Sequence, residues 1–207
     1  MEHLKTARLL YGERSVKATN FFDLKVKSLL ASDILLPVAA SFSYERIFKL
    51  YEERTGSKIV SAVGSIMNCS APDESLLDQR NSVMPDRYLI AINKGFNKEH
   101  RTVHNDHIPR NGVLNLREYL LLDMLNFLET HRHLDELEYF TAGKKDNLPH
   151  SVSLGTSFRQ SSPYCFPKLY HHNKMLTIDL HSLAQSSLTY YRTFKIPIVY
   201  PENYTKR

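Results

Sequence analysis

The clearest periodicity along the chain is at Leu121, Met124, Leu125 and Leu128, apolar residues at i, i+3, i+4 and i+7 of an amphipathic helix. Asn115 precedes this run as an N-cap, and the helix should end near His131–His133, where imidazoles suit the negative end of the dipole. Earlier segments also read as helices. Leu4 to Tyr11 is rich in helix formers and stops at Gly12, and from Asn20 onward Phe21, Leu24 and Leu29 recur at roughly helical spacing. Asp33 is placed to cap a short helix over Ile34-Leu35-Leu36-Pro37-Val38-Ala39-Ala40, with Pro37 tolerated in its first turn. Ser43 then caps Tyr44 to Thr55, and Gly56 supplies the stop. Strand patterns are fewer. Arg87 to Ile92 follows a Pro85-Asp86 turn, and Leu176, Ile178 and Leu180 alternate with Thr177 and Asp179. Leu183, Ser187, Tyr190, Tyr191 and Phe194 suggest a last helix, while Ser151 to Tyr164 is Ser-rich and reads as irregular.

The expected fold is therefore mainly α with a small β component. Residues 1–143 form a mainly helical domain, and residues 144–207 a basic, Ser/Tyr-rich, mixed C-terminal region, the boundary resting on composition alone. A chain of 207 residues that is 42% hydrophobic and 24% charged can bury a core in one domain or two small ones. Two cysteines, Cys69 and Cys165, exclude a disulfide framework and an all-cysteine zinc site. Seven glycines, with neither GxGxxG nor GxxxxGK[ST], argue against a dinucleotide or P-loop fold. No apolar run approaches the length of a membrane helix, and Met1-Glu2-His3-Leu4-Lys5 lacks the apolar core of a secretory signal, so a cytoplasmic protein with no membrane contact is expected.

The net charge of +5 is unevenly spread. Residues 1–60 hold ten Lys/Arg against seven Asp/Glu, residues 116–148 four against seven, and residues 149–207 seven against two. Two basic ends suit a polyanion partner through counterion release. The segment 33–56 has the outline of a helix-turn-helix, a short brace followed by a longer reading helix. On that second helix Arg46 and Lys49 are one turn apart, able to meet guanine edges or phosphates, while Ile47, Leu50 and Tyr51 hold it in place. Ser43, Tyr44 and Arg54 complete the candidate DNA-contacting set there, and Arg159, Lys168 and Lys174 would add phosphate contacts from the C-terminal quarter. Glu45, Glu52 and Glu53 oppose phosphate, and an ordinary core hairpin gives the same pattern.

The stretch Ser43-Tyr44-Glu45-Arg46-Ile47-Phe48-Lys49-Leu50-Tyr51-Glu52-Glu53-Arg54-Thr55-Gly56 resembles the "SR-x-R-L-I-K-L-Y-K-E-x-x-G" segment of FlhC-type transcription activators. Ser43, Arg46, Lys49, Leu50, Tyr51, Glu53 and Gly56 match, and Leu9 to Arg14 is faintly similar to an upstream family motif. The resemblance implies a DNA-binding transcriptional activator subunit working with a protein partner or as an oligomer, with no catalytic residues. The four cysteines of that family's zinc site have no counterpart here, since only Cys165 lies in the C-terminal region, and no cofactor is expected.

The alternatives carry chemistry of their own. Asn105-Asp106-His107-Ile108-Pro109 is similar to the first strand of HNH nucleases, so His104, Asp106 and His107, with Asn126 and His133 downstream, are candidates for a metal-dependent phosphodiesterase. Ten histidines include the pairs His131/His133 and His171/His172, for which solvated surface positions are expected ahead of metal ligation. Cys165 near His171 and His172 reads as an idle thiol before a nucleophile. Asp135, Glu136 and Glu138 read as a solvated or partner-facing patch. Tyr164, Tyr170, Tyr190 and Tyr191, interleaved with Arg159, Lys168, Lys174 and Arg192, suit either base stacking or a tyrosine-rich core. A non-catalytic subunit of a nucleoprotein or viral assembly is the third reading.

Overall fold

Local capping chemistry places the helix ends. In the computed structural model, which describes residues 2–19, 33–61, 76–78, 86–93, 100–104, 112–135, 151–158, 165–182, 188–192 and 195–199, helix α1 (Glu2–Tyr11) ends at Gly12 with φ +79° and is followed by α2 (Glu13–Thr19). Helix α3 (Tyr44–Thr55) starts where the Ser43 side chain accepts from the Arg46 N–H, and ends where Gly56 turns left-handed. Helix α4 (Leu116–Thr130) has a full capping box: Asn115 accepts from the Glu118 N–H and the Glu118 carboxylate accepts from the Asn115 N–H, both at 2.8 Å. It stops at His131 in the left-handed conformation. These ends fall where the local sequence predicts them.

The fold class does not. Among the described residues, eleven strands accompany four helices, so the protein is mixed α/β and not mainly α. Strands β1 (Asp33–Ala39), β4 (Arg87–Asn93) and β11 (Lys195–Val199) make an antiparallel sheet with β4 in the middle. A six-stranded sheet runs β2 (Lys58–Ser61), β9 (Met175–Ser182), β8 (Cys165–His172), β6 (Ser151–Val152), β10 (Leu188–Arg192), β5 (His100–His104). Strands β3 (Leu76–Asp78) and β7 (Thr156–Phe158) form an antiparallel pair.

The segment Asp33–Ala39, expected as the brace of a helix-turn-helix, is strand β1. Its run from Ile34 to Ala39 is buried without a polar face, and a short apolar run of that kind carries no period that separates helix from strand. Pro37 fits because β1 is an edge strand, where a missing N–H costs no ladder bond. The other edge of β1 is served by Tyr11, whose hydroxyl donates to the Pro37 carbonyl at 2.9 Å and accepts from the Ala39 N–H at 3.2 Å. Without the first helix, α3 is the C-terminal half of a strand–turn–helix, and residues 33–56 form no helix-turn-helix.

The expected last helix is also corrected, since Leu188–Arg192 is strand β10, pairing with β5 and β6. The Ser-rich stretch contains β6 and β7. The helix expected from Asn20 lies outside the described residues. Strand β9 behaves as its alternation predicts, with Leu176 and Ile178 buried, and joins β8 through Asn173-Lys174, both at positive φ as a two-residue hairpin turn requires.

One apolar core joins these layers. It includes Leu4 and Leu10 of α1, Leu36 and Val38 of β1, Ile47 of α3, Leu89 of β4, Leu120 and Leu121 of α4, and Leu169, Leu176 and Ile178 of β8 and β9. Helix α4 packs against α1, α3 and β1, and from Leu116 to Asn126 every residue is buried, so its leucine stripe widens to the whole circumference. No helix among the described residues is long and apolar enough to cross a membrane.

Candidate metal centre

The run Leu120-Leu121-Leu122-Asp123-Met124-Leu125 puts a carboxylate inside an otherwise apolar, buried helix, and such a group must be met by donors. Asp123 of α4 is met from three directions. Tyr51, in the middle of α3, donates its hydroxyl to Asp123 Oδ2. His133, two residues past the left-handed stop of α4, has Nδ1 2.8 Å from the same oxygen. His171, near the end of β8, has Nε2 at 3.3 Å. The other carboxylate oxygen, Oδ1, accepts the Leu134 N–H at 2.6 Å, which fixes the rotation of the carboxylate and presents Oδ2 to the cluster.

The four side chains form one closed group. Tyr51 Oη lies 2.6 Å from His171 Nε2 and 3.2 Å from His133 Nδ1. The two imidazoles stack with centroids 3.5 Å apart and planes within 9°, and Phe127 stacks on the outer side of His133 at 4.5 Å. Tyr51 and Asp123 are fully buried, His171 is 1% exposed and His133 8%. Burial pushes the Asp123 carboxyl up, but hydrogen bonds to His133 and His171, with their charges, outweigh it and hold the group well below its ordinary value.

Supporting contacts hold the ligand-bearing segments. His133 Nε2 is 2.9 Å from Ser57 Oγ, the His171 N–H donates to the Asp135 carbonyl at 3.0 Å, and the Tyr119 hydroxyl donates to the Asp135 carboxylate at 2.6 Å. Asp135, expected on a solvated patch, is buried in this role, and His133 and His171, expected at the surface, are core residues.

Asp123, His133 and His171 each offer one ligand atom, and those atoms lie within 4.8 Å of one another. Two imidazole nitrogens and a carboxylate oxygen are a donor set that zinc and related divalent ions accept. A tetrahedral ion with bonds of about 2.0–2.1 Å separates its ligand atoms by roughly 3.3 Å. The pair Asp123 Oδ2 and His171 Nε2 is at that spacing, at 3.3 Å, whereas Asp123 Oδ2 and His133 Nδ1 are closer, at 2.8 Å, and the face-to-face imidazoles would have to turn for both nitrogens to meet one ion.

The residues expected to contact DNA are scattered over different roles. Ser43 caps α3, and Tyr44 is buried with its hydroxyl on Asp78 and its ring 4.7 Å from the Arg117 guanidinium. Tyr44 is therefore a core residue, whereas Ser43 is exposed. Arg46 is exposed with its guanidinium 3.4 Å over the Phe42 ring, Lys49 is exposed, and Arg54 is half-buried beside Gly12. Lys168 is half-buried on β8 and Lys174 is exposed at the β8–β9 turn. Arg159, Asp106, His107, Glu136, Glu138 and Tyr164 lie outside the described residues, and of His104 only the backbone, in β5, is described. Asn126, a candidate member of the nuclease motif, instead donates to the Arg132 carbonyl at 2.7 Å. Cys165 is buried at the start of β8.

A second buried polar cluster is structural. Asp78 accepts from Tyr44 and Thr156 and lies 3.6 Å from Arg117 Nε, while Arg117 also donates to the Phe42 carbonyl. Burial raises the Asp78 carboxyl, and Arg117 with the two hydroxyls offsets only part of that.

No protein-family model matches the sequence, and no curated protein or solved structure matches the chain.

The metal-type cluster is absent from the sequence reading because its members come from α3, α4, the following loop and β8. The available signal was Asp123 itself, a lone carboxylate in a leucine run.

Proposed function

We propose that this protein is a metalloprotein whose Asp123, His133 and His171 bind a divalent transition-metal ion, zinc being the ion that the donor set fits first. The observation that carries this reading is the convergence of those three ligand atoms at one buried point. The surroundings support it. When Nδ1 of His133 binds a metal, its proton must reside on Nε2, and Ser57 Oγ stands 2.9 Å away to accept it, the outer hydrogen bond that metal-bound histidines use. A hydroxyl both donates and accepts, so the same contact serves the metal-free tautomer.

The test is elemental analysis of the purified full chain after dialysis against buffer, beside His133→Ala and His171→Ala. Stoichiometric metal in the natural sequence and its loss in both variants is the expected result. A metal-free protein that also fails to bind added zinc, by calorimetry and by thermal shift, leaves a hydrogen-bonded core cluster in place of the metal centre.

A second reading concerns the solvent face of α3. Arg46 and Lys49 are both exposed and one turn apart, which supports contact with a nucleic-acid backbone as part of a DNA-binding regulator. It does not need the helix-turn-helix geometry, and it is compatible with a metal in the core.

A further inference from the structure

We infer that the outer face of strands β2, β9 and β8 binds single-stranded nucleic acid, on a surface separate from both the buried cluster and the solvent face of α3. Strand alternation fixes which side chains lie there. On β8 the buried Leu169 and His171 face the core, and Lys168, Tyr170 and His172, which alternate with them, are half-buried on the other side. Leu176 and Ile178 orient β9 the same way and leave Met175, Thr177 and Asp179 outward. On β2, Ile59 packs against the core while Lys58 and Val60 are exposed. The register then sets the neighbours. Lys58, Met175 and His172 form one row across the three strands, Val60, Thr177 and Tyr170 the next, and Asp179 and Lys168 a third. Beyond Lys168 the face is covered, because Phe166 is buried with Val113, Val152 and Leu154.

Ring chemistry and charge identify the partner. Tyr170 and His172 offer aromatic faces, on which any base can stack. They are two residues apart on one strand, so roughly 7 Å separates them. That is about twice the 3.4 Å between stacked bases of one strand, a spacing that suits bases already splayed apart rather than a duplex. Val60 and Met175, 37% and 39% exposed, extend the apolar ground under such bases. Three lysines frame the rings. Lys58 and Lys174 are exposed, and the Lys58 N–H donates to the Lys174 carbonyl at 3.0 Å, so both border the same corner. Lys168 flanks the opposite end. Asp179, beside it, is the one acid among the described residues of this face. The balance is positive, as a phosphate backbone requires, and it matches the seven Lys/Arg against two Asp/Glu of residues 149–207.

Fluorescence anisotropy of the full chain with labelled oligo(dT) and oligo(U) of about 12 nucleotides, within the span that one single-strand surface covers, tests this. Both should bind, and more tightly than a dT·dA duplex of the same length. Tyr170→Ala should weaken binding about 5–150-fold, the loss of one stacked base, whereas Tyr170→Phe keeps the ring and the affinity. Lys58→Gln with Lys174→Gln, both at exposed positions, should lower the slope of log affinity against log salt by about 1.4, at roughly 0.7 for each phosphate contact. Failure to bind either oligonucleotide overturns the inference. So does a duplex bound as tightly as the single strands, or displacement of the oligonucleotide by polyglutamate of equal charge, which marks a surface for acidic chains in general. If Tyr170→Ala loses its circular-dichroism spectrum, ultraviolet crosslinking of the natural chain to oligo(U) decides. A crosslink in the peptide containing Tyr170 supports the inference, and one confined to other peptides overturns it. His171 faces the other side of β8, so none of these outcomes depends on the metal-binding reading.

Discussion

Asp123 shows how one residue can depend on distant parts of the chain. Its carboxylate lies inside the leucine helix, where burial alone would drive it to the neutral form, and hydrogen bonds to His133 and His171 reverse that preference. A carboxyl held below its unfolded value contributes stability that is present above the unfolded value of roughly 4 and is lost as the pH falls beneath it. The urea midpoint of the metal-free chain should therefore drop progressively as the pH falls below about 5, and Asp123→Asn should flatten the Asp123 part of that drop. Equal pH slopes in the two proteins would contradict the assignment. Asp78 works in the opposite direction, because its raised value favours the protonated form and its contribution declines as the pH rises.

At the scale of elements, the helix ends and the identity of β1 have different origins. Ser43 with Gly56, and Asn115 with Glu118, act through hydrogen bonds within a few residues, so the bounds of α3 and α4 are readable from neighbouring letters. The segment Ile34-Leu35-Leu36-Pro37-Val38-Ala39 has no such punctuation inside it, and its strand conformation comes from pairing with β4 and from Tyr11 of α1. Tyr11→Phe removes both contacts to the β1 edge and leaves a buried N–H and carbonyl unmet. It should lower stability by about 1–3 kcal/mol in urea titration. A loss no larger than that of an exposed control such as Leu9→Ala would argue against Tyr11 as the edge partner.

At the scale of the molecule, the chain brings its two halves together in shared sheets, β2 beside β9 and β4 beside β11. That arrangement buries the candidate metal centre and leaves Arg46 and Lys49 outside. If the solvent face of α3 contacts nucleic acid, Arg46→Ala with Lys49→Ala should weaken binding and reduce the slope of log affinity against log salt by about 2. Circular dichroism should be unchanged, since both side chains are exposed. An unaltered salt slope would remove α3 from any such interface.

The sequence by itself determined the stop of α1, the caps and stops of α3 and α4, the strands at 87–92 and 176–180, and a core-forming composition with a basic excess. Each of those depends on residues a few positions apart or on simple totals. Only the tertiary structure decided that residues 33–39 are a strand, that 188–192 pair into a sheet, and that Tyr51, Asp123, His133 and His171 meet. Tyr51 lies 72 residues from Asp123 and 120 from His171. No local spacing encodes such a meeting; it follows from which faces of α3, α4 and β8 the shared core brings together.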